Sequence, residues 1–382
     1  MARHDVPGAH DLPLRRRGNV NVTQSLVNVH DVYYIIELLV GGQKIPVSVD
    51  TGSSDTWLVQ QPYECVQFFF QPGQKPNCGL GDGFKGNLSG GRVPKVEFGR
   101  SYADGTFVRG FFGFEDVTIG GLTSKLQRIA LVNYTYWFGD GKTSGLLGLA
   151  YPYMTSLDGP NEDQPLYDPV FTSLWKDKQI LPLFSMALSR YADQSAGQKG
   201  SDEGHENSYL ALGGLPPVSY DEASWARTPI QSMSVLTDWG LDTQERGLYV
   251  ITPDAYVFGK TNTSVPLSEA GLATNTTHIP VLQLYAQFDP PAEYLSSNGM
   301  FFAKCDAKVP AFGIKLGGTT FWMAPDDLLK QNARDPTGKW CRVGVYDSDA
   351  SPHVLGVSFL ANVVAVFDVE HHEMRFAKRT KY

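Results

Sequence analysis

The chain has 382 residues, with 32 Lys and Arg against 40 Asp and Glu, a formal net charge of −8. That mildly acidic balance, with no long basic block, argues against a nucleic-acid binder. Apolar residues make up 42% and charged residues only 19%, the reverse of a disordered composition, so a sizeable core is expected.

In chain order, residues 1–27 read as a polar tail or propeptide remnant. No apolar leader segment is visible there, and Arg15-Arg16-Arg17 reads either as a processing site or as a solvated basic tail. Tyr33 to Val40 is predicted as an apolar strand, Gly41-Gly42 as a turn, and Ile45 to Val49 as a second strand. Segment 61–92, rich in Gly, Pro and Asn, reads as a loop. Val96 to Phe98 and Thr106 to Val117 read as strands around a hairpin tip at Tyr102-Ala103-Asp104-Gly105. Asp168 to Lys178 is the best helix of the first half. The polar stretch Asp193 to Ser208, followed by Gly213-Gly214 and Pro216-Pro217, marks a domain junction, with the halves taken as 28–215 and 216–382. In the second half, Leu248 to Ile251 and Ala255 to Phe258 read as strands and Asp326 to Lys330 as a short helix. Closing strands are expected at Val354 to Gly356, Val363 to Phe367 and Met374 to Ala377. Two β-rich halves of similar size suggest duplication. No run approaches the ~20 apolar residues of a membrane span.

The cysteines, Cys65, Cys78, Cys305 and Cys341, fall as two pairs, one in each half. None forms CxxC, which excludes a zinc ribbon or thioredoxin motif. Two local disulfides are expected in an oxidising compartment, with four buried thiols as the alternative. Five Asn-x-Ser/Thr sequons, at Asn21, Asn87, Asn133, Asn262 and Asn275, favour a secretory glycoprotein together with the paired cysteines.

The sharpest motif is Val47-Ser48-Val49-Asp50-Thr51-Gly52-Ser53-Ser54-Asp55-Thr56-Trp57-Leu58-Val59. A carboxylate ends an apolar strand and is followed by a small, turn-prone tripeptide. Gly52 lets backbone approach it closely, and Thr51, Ser53 and the loop amides can donate to it. A plain β-turn Asp with an Asx-type bond is the simpler reading of Asp-Thr-Gly alone. The apolar strands on either side and Trp57 strengthen the signal.

With these residues the chain resembles the pepsin-like aspartic proteases, the fungal secreted branch best, over roughly residues 30–378. Ser101-Tyr102-Ala103-Asp104-Gly105-Thr106 is similar to the β-hairpin flap that closes over substrate. Ser144-Gly145-Leu146-Leu147-Gly148-Leu149-Ala150 resembles the segment beneath the first catalytic loop. Leu183 to Arg190, Leu210 to Gly214, Val354 to Leu360 and Val366 to Asp368 match further family segments, and both cysteine pairs fit. The resemblance implies an all-β fold of two lobes with a cleft between them, a monomer acting on polypeptides, no metal and no cofactor. It implies that Asp50 is a catalytic aspartate. It also implies that Thr51, Gly52, Ser53, Trp57, Tyr102, Asp104 and Gly105 bind substrate, with Trp57 hydrogen-bonded to Tyr102. Trp57 as plain core is the simpler alternative. In that mechanism two aspartates share one proton, and the ionised one activates a water that attacks the peptide carbonyl. The pair titrates as a unit, so activity is expected to peak in acid. A secreted or vacuolar location follows from the same likeness.

One departure matters. Only one Asp-Ser/Thr-Gly occurs in the sequence. Its counterpart is expected between the Leu248–Phe258 strands and Gln287-Phe288-Asp289-Pro290, and Thr261 to Leu284 holds no aspartate. Ile279-Pro280-Val281 is read as the strand leading into the missing loop. Asp254 and Asp289 flank the gap without the Thr/Ser-Gly that should follow. Three readings stay open: an acid endopeptidase whose second motif is missing from the sequence as written, a peptide binder with one carboxylate, and a faulty product whose second lobe misfolds. As written, the chain is expected to cleave proteins very weakly or not at all. Other motifs fall away. Gly141-Lys142-Thr143 lacks the upstream glycine of a P-loop, and His371-His372-Glu373 lacks metal-ligand spacing and reads as a solvated turn. No Gly-x-Ser-x-Gly occurs. Gly79-Leu80-Gly81-Asp82-Gly83 reads as a flexible turn.

Overall fold

The structure, a computed structural model, describes residues 20–67, 76–102, 104–155, 166–190, 208–236, 240, 242–259, 263–266, 278–296, 299–346 and 353–380. In the first half the strands are β1 (Val22–Val29), β2 (Tyr33–Val40), β3 (Gln43–Asp50), β4 (Trp57–Cys65) and the short β5 (Phe84–Lys85). They continue with β6 (Arg92–Ser101), β7 (Phe107–Ile119), β8 (Leu122–Tyr136) and β9 (Gly145–Gly148). Alternation drives them. Along β2, Leu38 and Val40 are fully buried while Glu37 and Leu39 face out. Gly41 and Gly42, at φ 53° and 79°, supply the left-handed backbone of the turn into β3.

Strand β1 takes up the last six residues, 22–27, of the stretch expected as a tail over 1–27. Leu26 is buried there, and the strand pairs with β2 through Val27 and Ile35. Its short Val/Leu pattern was masked by the polar residues Asn21, Thr23 and Gln24 between them. Residues 1–19 lie outside the described residues.

The helix expected over 168–178 is α1 (Val170–Lys176). After it come β10 (Leu183–Ala187), β11 (Ser208–Leu212) and β12 (Ala226–Pro229). Of the expected junction, residues 193–207 lie outside the described residues, Ser208 is buried at the start of β11, and Gly213-Gly214 and Pro216-Pro217 follow that strand. The second half builds two four-stranded sheets from β13 (Ala255–Phe258), β14 (Thr263–Pro266), β15 (Glu293–Leu295), β16 (Met300–Lys304), β17 (Phe312–Leu316), β18 (Thr319–Trp322), β19 (Leu329–Arg334) and β20 (Trp340–Val343). Among the described residues, three α-helices sit between them or follow: α2 (His278–Ala286), α3 (Pro325–Leu328) and α4 (Val357–Leu360). Strands β21 (Val363–Asp368) and β22 (Glu373–Lys378) close the chain. They join β12, β10, β11 and β1 in one platform, in the order β12-β22-β21-β10-β11-β1. Residues from both ends of the sequence therefore share a sheet. Phe184 on β10 stacks on Phe367 on β21 at 4.4 Å, inside a core that runs from Leu38 and Val47 to Phe312 and Phe376. The architecture is all-β, as expected. Both cysteine pairs are disulfides, Cys65–Cys78 and Cys305–Cys341.

Three predicted strands are corrected. Ile279-Pro280-Val281 lies in the first turn of α2, where a proline lacks no needed hydrogen bond. The helix goes on to bury Leu284 and Tyr285. Leu248 to Ile251 is irregular, because its polar groups bond across to other segments: Gln231 N–H to the Val250 carbonyl at 2.8 Å, and the Tyr249 hydroxyl to the Leu149 carbonyl at 2.5 Å. Val354 to Gly356 is also irregular, with Val354 80% exposed. The glycine run 79–83 is no flexible turn. A Cβ on Gly81 would lie 2.3 Å from the Lys142 carbonyl oxygen, and one on Gly83 2.2 Å from that of Val59, so these glycines admit neighbouring backbone.

Candidate active site

Asp50 ends β3, and the loop after it turns back into β4. Between these two strands lies β9, parallel to β3 and antiparallel to β4, with Asp50 opposite Gly148 and Trp57 opposite Leu146. The loop is buttressed from that side. Leu149 N–H donates to the Asp50 carbonyl at 2.8 Å, Ala150 N–H to the Ser53 carbonyl at 2.9 Å, and the Ser54 hydroxyl to the Tyr151 carbonyl at 2.5 Å. A Cβ on Gly148 would lie 2.4 Å from the Ser54 carbonyl carbon, so only glycine allows this approach.

The carboxylate itself is half-buried. Its Oδ1 accepts from Gly52 N–H at 2.8 Å and its Oδ2 from the Ser53 hydroxyl at 2.5 Å. Of the expected donors, Ser53 and one loop amide, that of Gly52, are thus on it, while no bond from the Thr51 hydroxyl reaches the carboxylate among the described residues. Thr51 is half-buried beside them. Among the described residues, the hydrogen-bond partners of this carboxylate all come from its own loop.

The hairpin between β6 and β7 stands over the loop. Tyr102 N–H donates to the Thr106 carbonyl and Gly105 N–H to the Tyr102 carbonyl, both at 2.9 Å. Asp104 Oδ1 accepts from Thr106 N–H at 3.0 Å and from its hydroxyl at 2.7 Å, and Gly105 takes φ 83°. Asp104 and Gly105 therefore shape the tip and do not reach the Asp50 carboxylate through a hydrogen bond. Ala103 lies outside the described residues. Trp57, fully buried, donates from Nε1 to the Tyr102 hydroxyl at 2.7 Å. Trp137 packs edge-on against both rings, 5.2 Å from Trp57 and 5.1 Å from Tyr102. Burial raises the Tyr102 pKa, and the Asp50 charge raises it further, so the hydroxyl keeps its proton.

Sequence reasoning left a second connection unassigned. Asp55, within the motif, is buried and pairs with Arg100 on β6, Nε to Oδ2 at 2.5 Å. The Tyr167 hydroxyl donates to its other oxygen. Alternation along β6 carries the signal: Phe98, Arg100 and Tyr102 share one face, and Phe98 is buried.

Among the described residues, no hydrogen bond joins either flanking aspartate of the second half to the Asp50 carboxylate. Asp254 accepts from Gly318 N–H at 2.7 Å and caps the β17–β18 turn. Asp289 exchanges backbone bonds with Lys308, at 3.1 and 2.8 Å. The second half does lean on the Asp50 loop. Tyr151 N–H donates to the Gly247 carbonyl at 3.0 Å, and the Tyr151 and Tyr249 rings lie 5.1 Å apart. Residues 267–277, inside the expected second loop, lie outside the described residues. Among the described residues no cluster of His, Cys, Asp or Glu is arranged to hold a metal ion.

An Asp-Thr-Gly loop clasped by crossing strands, under a hairpin tyrosine bonded to a tryptophan, extends in sequence well beyond the site. The model of the eukaryotic aspartyl protease family matches residues 33–379. The chain belongs to that family. It is 33% identical over 377 residues to a probable aspartic-type endopeptidase of Aspergillus fumigatus, covering 95% of this chain and 81% of that protein. It is 26% identical over 373 residues to an acid protease of Saccharomycopsis fibuligera, covering 96% and 85%. With an aspergillopepsin-1 of Emericella nidulans it shares 24% over 355 residues, covering 91% and 78%. The family is bilobal, and the all-β architecture of this chain is consistent with that fold.

Proposed function

We propose that this protein is an aspartic endopeptidase of polypeptides that works in acid, with Asp50 as a catalytic carboxylate. The observation that carries the reading is the Asp50 carboxylate, fixed by Gly52 and Ser53 beneath the Tyr102–Trp57 bond. A half-buried carboxylate in that setting can take a proton from a water held under the flap. Substrate lies extended in the cleft, its backbone meeting the flap as an added strand. Thr51, Gly52 and Ser53 line the floor, and Tyr102, Asp104 and Gly105 form the cover. Residues 28–215 supply this half of the cleft and 216–382 the facing half.

A second reading, peptide binding without turnover, is favoured by the single Asp-Ser/Thr-Gly in the sequence. Losing one member of a catalytic unit costs many orders of magnitude in rate. One experiment separates the two. The purified chain is incubated with an unfolded protein between pH 3 and 6, beside Asp50→Asn, and both are passed over an immobilised statine-type peptide. Cleavage lost in Asp50→Asn and blocked by the soluble statine peptide supports the endopeptidase. Capture without cleavage supports the binder. Neither capture nor cleavage by the folded chain sinks both.

We further read the protein as a secreted or vacuolar monomer. Its two disulfides suit an oxidising compartment, and the sequons Asn87 and Asn133 are exposed on the surface. Asn21 is exposed too, though its amide donates to the Leu215 carbonyl at 3.1 Å. Asn262 and Asn275 lie outside the described residues. Among the described residues no helix is long and apolar enough to cross a membrane.

A further inference from the structure

The flap is joined to the Asp50 loop twice. One joint is Trp57 to Tyr102. The other, two residues earlier on each side, is Asp55 to Arg100. Arg100 occupies the second-last rung of the β6–β7 ladder, opposite Val108, with only Ser101–Phe107 between it and the tip. Its guanidinium reaches three places. Nε holds Asp55 Oδ2 at 2.5 Å, Nη2 donates to the Thr155 carbonyl at 3.0 Å, and Nη1 donates to the Gly99 carbonyl at 2.8 Å. Asp55 belongs to the loop after Asp50, and Thr155 to the turn that follows β9. One side chain from the flap strand thus grips both the loop after Asp50 and the turn after the strand that backs that loop.

The surroundings fix the pair further. Tyr167 donates to Asp55, and the Arg128 guanidinium lies 4.6 Å from the Tyr167 ring and 4.2 Å from that of Phe112. Phe112 packs edge-on against Phe98, which lies under Arg100. The Arg100 and Asp55 side chains are only 9% and 4% exposed. An ion pair in such a place is expensive to desolvate, and an apolar pair of similar volume would often fold as well or better. Stability alone does not call for it. A planar guanidinium with several fixed donors does call for one geometry between flap and loop.

We propose that Arg100 and Asp55 are positioning residues that set where the flap stands over the Asp50 loop, and so hold Tyr102 ready to cover a bound peptide. The inference rests on the reading of residues 101–107 as a substrate-covering flap. Neither side chain is required to touch the peptide. They act through Tyr102 and Trp57.

The test replaces both charges at once, Arg100→Met with Asp55→Leu, so that no buried charge is stranded. Hydrogen exchange of the Tyr102 and Gly105 amides is followed in the free protein, together with its melting temperature and its capture on the immobilised statine-type peptide. The pair variant is expected to stay folded, with exchange in the flap about tenfold faster and capture about tenfold weaker, the scale of close charge-pair coupling. Arg100→Lys, which keeps the charge on Asp55 but loses the planar fork, is expected to fall between wild type and pair variant. Flap exchange equal to wild type, or an acceleration spread evenly over β4 and β6–β8, would overturn the proposal. Tyr167→Phe stands in if the pair variant does not fold. It removes one donor from Asp55, and flap exchange must again rise while the surrounding strands stay protected. If the wild type neither cleaves nor captures peptide, the proposed function fails, and the exchange data still decide whether Arg100 and Asp55 hold the flap.

Discussion

In the first half, Gly148 sits opposite Asp50 in a parallel rung between β9 and β3, so close to the Ser54 backbone that a methyl group does not fit. In the second half, the matching glycine of Val354-Leu355-Gly356 meets no atom of the described residues within 4 Å of where its Cβ would be, and Val354 is 80% exposed. Both segments read alike as apolar-apolar-glycine. The difference lies in what they pack against. The first supports a loop that carries a carboxylate. The second precedes α4 without joining a strand, and the sequence offers no Asp-Ser/Thr-Gly for it to support. A structural motif of this kind is held by its partner across the sheet as much as by its own residues.

The sharpest way to break the contrast is chemical. Asp50→Asn is expected to lower whatever acid proteolysis the chain shows by about 10³-fold or more. Asp254→Asn, which only weakens a turn cap, should leave that activity unchanged. Equal losses from both in a peptide-cleavage assay would mean that the second lobe supplies its carboxylate from Asp254.

Next in size come the disulfides, one in each half. Cys65 and Cys78 are 13 residues apart and Cys305 and Cys341 are 36 apart. Chain entropy then predicts losses of about 3 and about 4 kcal/mol when each pair is changed to Ser. Urea unfolding of the two double variants reads the order. A larger loss in the first half would mean that its disulfide also strains or orders the native state.

The two glycines give a direct comparison. Gly148→Ala should cost about 1–3 kcal/mol through overpacking against the Ser54 backbone. Gly356→Ala, at φ −83° with open space around it, should lie within about 0.5 kcal/mol of wild type. Thermal melts of the two single variants are sufficient. A large cost at Gly356 would show that its loop packs against residues outside the described part of the second lobe.

The smallest effect is a slope. Burial raises the Asp55 pKa above its ordinary 3.8, against the pull of Arg100 and Tyr167. For a carboxylate raised in the folded state, the stabilising contribution is full below the unfolded value and is lost as pH rises through the folded one. The variant Asp55→Leu with Arg100→Met lacks that titration. Its stability should therefore gain on wild type as pH rises from about 4, by at most about 1.4 kcal/mol per pH unit. Parallel curves of urea midpoint against pH would show that Asp55 does not titrate in this range.

Much of the candidate site was legible in the sequence. Asp50-Thr51-Gly52-Ser53 marks a loop whose residues serve one another locally, and local bonds survive translation from sequence to structure. The flap was legible for the same reason: Asp104 bonds to Thr106, two residues away. The Trp57–Tyr102 bond spans 45 residues and was reached only through likeness to a family. Arg100 and Asp55 span the same distance, and no general pattern joined them. The misread strands fail in a related way. Leu248 to Ile251 has strand-like residues, but its bonds go to Leu149 and Gln231, and Ile279-Pro280-Val281 is apolar enough for either element until the buried Leu284 and Tyr285 settle it as a helix.

By itself the sequence determined the β-rich class of fold, the position of the one Asp-Thr-Gly loop and the hairpin tip at 102–105. These rest on alternation, turn residues and short-range spacing, which act within a few residues along the chain. Only the tertiary structure decided that β1 is part of the platform, that Gly148 backs Asp50 while Gly356 backs nothing among the described residues, and that a buried Arg100–Asp55 pair joins the hairpin to the loop. Each of those depends on which distant backbone comes within a few ångströms, and a packed interior sets that only when all its strands are in place at once.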